Sequence, residues 1–76
     1  SSTAEKFEQL SQEVLAYLPA PDLERLKRAF DFAEREHAGQ VRRSGEPYFN
    51  HVFEATRIGC RLHLDEESLC ALLLHD

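Results

Sequence analysis

His75 and Asp76 end an apolar run, Leu69-Cys70-Ala71-Leu72-Leu73-Leu74, and this pairing of residue types is where chemistry is most readily sought. Successive helical side chains stand about 100° apart, so both project from the end of one helix among apolar neighbours. An ionised carboxylate in such surroundings must be paired, hydrogen-bonded or bound to a metal, and imidazole is the usual companion ligand. His51 supplies a third candidate donor, because an antiparallel pair of helices would bring the start of one near the end of the next. Two imidazoles and a carboxylate suit a first-row divalent ion, with zinc, manganese and iron all open. Three protein ligands leave positions for water, which the ion would acidify and orient toward phosphorus, so metal-assisted phosphoester hydrolysis is the natural reaction class. The alternative is a helix terminus with a hydrogen-bonded histidine and no metal.

A second cluster, Arg42 and Arg43 beside Ser44 and Gly45, could form a local anion site on an otherwise acidic chain, or simply a solvated surface. Other polar and aromatic residues carry weaker signals. His37 falls on an apolar stripe and is expected to be packed and hydrogen-bonded, and His63 to be exposed. Tyr48 and Phe49 could stack on a base, but aromatics at a helix start more often close the core. Cys60 and Cys70 lack CxxC spacing and read as buried free thiols.

The elements that must position these residues all read as α-helix, in one domain spanning 1–76 with helices near 3–18, 21–38, 49–62 and 66–76. Ser2 and Glu5 form a capping box before Phe7, Leu10, Val14 and Leu18, which recur at helical spacing until Pro19. Pro21 suits the first turn of the second helix, along which Leu23, Leu26, Phe30, Ala33 and His37 make one stripe ending near Gly39. Residues 40–48 contain the glycine and proline of a connecting loop. In the third helix His51, Ala55, Ile58 and Leu62 share a face, which predicts an inward stripe starting at His51. Asp65 is the expected N-cap of the fourth helix, which is apolar all round after Glu66 and Glu67 and is expected to be central and buried.

Composition sets the outer bounds. A chain of 76 residues buries a thin core and is expected to be marginally stable. A net charge of −5 disfavours nucleic-acid binding, which depends on a basic surface. The longest apolar run is far short of the ~20 residues that cross a bilayer, and no signal-like N-terminus is present, so a cytoplasmic location without membrane association is expected.

The stretch from Ala38 through Arg42-Arg43-Ser44-Gly45-Glu46-Pro47-Tyr48 to His51, followed by Leu72-Leu73-Leu74-His75-Asp76, resembles the hydrolase domain of RelA/SpoT homologues. The resemblance covers roughly residues 23–76 and combines two separated motifs at the family's spacing. It implies the N-terminal four-helix portion of an all-α domain of the HD superfamily. The implied activity is removal of pyrophosphate from the ribose 3′ position of guanosine tetraphosphate or pentaphosphate, usually with Mn²⁺. His51, His75 and Asp76 align with the family's metal ligands. Arg42, Arg43 and Ser44 match the loop that lines its guanine-nucleotide pocket, with Arg43 where lysine is commoner. Val52 replaces the usual proline after the histidine, a change expected to be tolerated.

In the family a catalytic acidic pair and a further metal-binding aspartate follow beyond position 76. The 76-residue chain is therefore expected to be part of a larger enzyme, itself inactive and weak in metal binding, whose parent could also synthesise the alarmone. A non-catalytic helical module, acting through nucleotide binding or dimerisation, is the competing expectation. A homodimer through helix 66–76 would cover apolar surface that a short fourth helix leaves exposed.

Overall fold

The computed structural model describes residues 2–75. Within them the chain is all-α: α1 (Thr3–Leu15), α2 (Leu23–Glu36), α3 (Tyr48–Arg61) and α4 (Glu66–Leu74). Each helix end has a local cause. At α1 the Ser2 hydroxyl accepts from the Glu5 amide while the Glu5 carboxylate accepts from the Ser2 amide, closing the capping box. The helix stops at Leu15, earlier than expected, and Tyr17 and Leu18 both donate their amides to the Val14 carbonyl in a tightening turn ahead of Pro19. Asp22, not Pro21, governs the start of α2: its carboxylate accepts from the Arg25 amide, so the helix begins at Leu23. Asp65 caps α4 in the same way through the Ser68 amide.

The core gathers one face of every helix. Leu10 and Val14 of α1, Leu26, Phe30 and Ala33 of α2, Phe49, Val52, Phe53 and Cys60 of α3, and Leu69, Cys70 and Leu73 of α4 are all buried. Phe30 is the hub, meeting Phe7, Phe49 and Phe53 edge-on at ring-centroid distances of 5.3, 5.0 and 6.3 Å, a geometry that sets ring edges against π-faces. Both cysteines are buried free thiols.

Two expectations about faces are corrected. The buried face of α3 runs through Phe49, Val52, Phe53, Thr56, Gly59 and Cys60, so His51 lies on the solvent side, with Ile58 and Leu62 47% and 69% exposed. That face is still helical in period, but Thr56 and Gly59 break its apolar reading. Thr56 is buried because its hydroxyl donates to the Val52 carbonyl at 2.9 Å, and Gly59 because a Cβ there would stand 2.9 Å from Leu72 Cδ1 and 3.0 Å from Leu69 Cδ2. Likewise α4 is buried on one face only, with Ala71 and Leu74 exposed.

The α3–α4 turn carries the bond pattern of a Schellman motif, His63 donating to the Cys60 carbonyl and Leu64 to that of Gly59. His63 takes the left-handed position there, φ 57°, where glycine is usual. Tyr17 holds this corner, stacking on the exposed His63 ring at 4.5 Å and donating its hydroxyl to the Leu64 carbonyl at 2.6 Å. Just beyond this corner, at the first residue of α4, Glu66 accepts from the Asp22 amide and pairs with Arg25, tying the starts of α2 and α4 together. No helix among the described residues is long and apolar enough to cross a membrane.

Candidate functional site

The loop between α2 and α3 is a closed hairpin. Gly45 donates to the Arg42 carbonyl at 2.8 Å and Arg42 to the Glu46 carbonyl at 2.9 Å, with Gly45 at φ 91°. This is the pattern of a turn relieved by a left-handed glycine. An antiparallel bridge between Val41 and Pro47 and a bond from the Tyr48 amide to the Gln40 carbonyl fix its base. Arg43 and Ser44 are thereby presented at the tip, and all three predicted loop residues are exposed. Val41, Arg42, Arg43, Ser44, Glu46 and Tyr48 line an open depression of about 560 Å³ here. Glu46 was not singled out from the sequence; its acidity gave no reason to expect it in an anion site.

Below the loop, His37 is buried and donates from Nδ1 to Gln40 Oε1 at 2.9 Å, with Tyr48 against its ring at 4.6 Å. It is a packed histidine, as its stripe suggested. Tyr48 in turn meets His51 edge-on at 5.7 Å. His51 is one helical turn into α3, and its Nδ1 lies 3.2 Å from Arg42 Nη1. A guanidinium can only donate, so His51 Nδ1 accepts and the ring proton sits on Nε2. The first candidate metal ligand and the candidate nucleotide loop are thus in direct contact.

His75 is exposed and outside α4, capping it in extended conformation at ψ 134°. The burial expected to force it toward a partner is absent. Its Nδ1 nevertheless donates to the Leu72 carbonyl at 3.0 Å, leaving Nε2 as the nitrogen with a lone pair, which is how metal-ligating histidines are commonly oriented by a backbone oxygen. Asp76 lies outside the described residues. Among the described residues, no three of His, Cys, Asp or Glu are gathered closely enough to hold a metal ion. The donor types suit a divalent cation, but His51 could join it only by giving up Arg42.

Residues 29–76 match the family model for the HD domain, and the chain belongs to that family of helical domains. Within it the likeness is to RelA/SpoT enzymes. Over 70 residues, 92% of this chain and 10% of the relative, it is 44% identical to the bifunctional (p)ppGpp synthase/hydrolase SpoT of Escherichia coli (strain K12). It is 46% identical over 63 residues to the GTP pyrophosphokinase of Myxococcus xanthus, covering 83% of this chain and 8% of that one. To the bifunctional (p)ppGpp synthase/hydrolase RelA of Mycobacterium tuberculosis it is 43% identical over 58 residues, 76% of this chain and 8% of the relative. The chain therefore spans about a tenth of the length of these curated relatives. No solved structure matches it.

Proposed function

We propose that this chain supplies the nucleotide loop and part of the metal centre of a guanosine-3′,5′-bis(diphosphate) 3′-pyrophosphohydrolase acting in the cytoplasm. The observation that carries this reading is the 3.2 Å contact between Arg42 and His51, which puts the arginine loop and a candidate ligand on one face. Relatives named as (p)ppGpp hydrolases support the substrate class. In this reading His51, His75 and Asp76 hold a divalent ion, Mn²⁺, while Arg42, Arg43 and Ser44 receive the guanine nucleotide. The bound ion would supply a Lewis acid and an acidified water. The chain's own contribution is charge and shape: two guanidiniums and a hydroxyl on a hydrogen-bonded hairpin, matched to phosphate.

Calorimetric titration with guanosine tetraphosphate in Mn²⁺ tests this. Arg43→Ala is expected to weaken binding by about 1.5–3 kcal/mol, the loss of a charge-assisted contact. Equal affinity in wild type and variant contradicts the assignment.

A second reading, a non-catalytic dimerisation module, draws on the apolar groove between α2 and α4, where Phe32 and Leu74 are 44% and 47% exposed. Light scattering at rising concentration separates it: a monomer throughout rules out this surface as a self-association face.

A further inference from the structure

The bond between Arg42 and His51 has a chemical consequence for whatever binds either residue. A neutral imidazole carries one proton and one lone pair. With Arg42 donating to Nδ1, the lone pair is engaged there and the proton is on Nε2. A cation taking Nδ1 would displace the guanidinium directly. A cation taking Nε2 would send the proton to Nδ1, where two donors would then face each other. Ligation at either nitrogen is incompatible with the Arg42 bond.

Arg42 also belongs to the hairpin depression, beside Arg43 and Ser44. Its backbone is fixed there, its amide bonded to Glu46 and its carbonyl to Gly45, so release from His51 would leave its guanidinium tethered beside the loop. We propose that Arg42 is shared between His51 and a phosphate-bearing anion on the loop, so that a divalent cation on His51 and an anion on the loop strengthen each other's binding. The coupling is reciprocal by thermodynamic linkage. It rests, for the cation, on the ligand role of His51 proposed above. It gives Arg42 a positioning role toward His51 besides its contact with nucleotide.

The experiment needs no metal in its first arm. Inorganic pyrophosphate alone is titrated into the wild-type chain, His51→Ala, Arg42→Ala and the double variant. His51 is exposed, so its removal spares the core. Freeing Arg42 from one hydrogen bond should tighten pyrophosphate binding in His51→Ala by about two- to tenfold, and this gain should vanish when Arg42 is also alanine. No gain, or a gain that persists without Arg42, overturns the proposal. In the second arm, ¹⁵N spectra of the histidine rings are followed with Zn²⁺, a diamagnetic probe. The proposal expects the Nε2-protonated signature of His51 in the free wild type, and its replacement by a ligated signature with Zn²⁺. A pyrophosphate cycle that behaves as expected, with His51 signals unmoved by Zn²⁺, would support the sharing of Arg42 and overturn the ligand reading of His51.

Discussion

Tyr17 is the residue whose chemistry departs most from its ordinary value: desolvation, followed by the nearby Cys60, pushes its phenol up to about 12 from 10.0. The folded state therefore holds this proton more tightly than the unfolded chain. Stability from Tyr17 is fully present below pH ~10 and is lost as pH rises through the folded value, because only the unfolded chain gains by ionising. Tyr17→Phe should flatten that alkaline limb in pH-dependent denaturation and remove the late-titrating tyrosinate from the ultraviolet spectrum; an unchanged limb would assign it elsewhere. At neutral pH the same change loses the bond to Leu64, costing about 0.5–1.5 kcal/mol in urea denaturation. None of this was legible in the sequence, since Tyr17 meets Leu64 only through the fold. The loop between α2 and α3 was legible because its glycine and proline break the helical period. The setting of His75 was not, because a run of leucines says nothing about where its last turn frays into an extended cap.

At the scale of elements, α3 and α4 approach closely at Gly59. Gly59→Val should destabilise the chain by about 1–3 kcal/mol, the usual cost of overpacking, measured by denaturant unfolding. The next corner offers an internal comparison. His63 occupies a left-handed position that costs a non-glycine residue about 1–2 kcal/mol, partly offset by stacking on Tyr17. His63→Gly loses the stack but relieves the backbone, whereas His63→Ala loses the stack and keeps the strain. The glycine variant should therefore be the more stable of the two by about 1 kcal/mol; the reverse order would place the strain elsewhere. The helices themselves could be read from capping and period, Ser2-Glu5 and Asp65 being the clearest cases. The inward face of α3 could not, because its central positions are a threonine and a glycine. Threonine is buried there by bonding its own helix, and glycine by being small enough for a neighbouring helix, neither of which an apolar stripe records.

For the whole molecule, a stability on the order of 4–11 kcal/mol is expected for this length, and much of the core is centred on one ring. Phe30→Ala should cost about 3–5 kcal/mol and leave a chain with sharply reduced helicity by circular dichroism at physiological temperature; near-native melting would show that the aromatic cluster is not the centre of the fold. That core fixes the base of the hairpin and the start of α3, and so the contact between Arg42 and His51 on which the functional account stands. In the proposed function His51 and His75 belong to one divalent-cation site. Calorimetric titration of Mn²⁺ into the wild-type chain, His51→Ala and His75→Ala tests it most directly. Measurable binding is expected in the wild type, and each substitution should weaken it at least tenfold, about 1.4 kcal/mol. Binding that is indifferent to both substitutions, or no binding in the wild type, would contradict it.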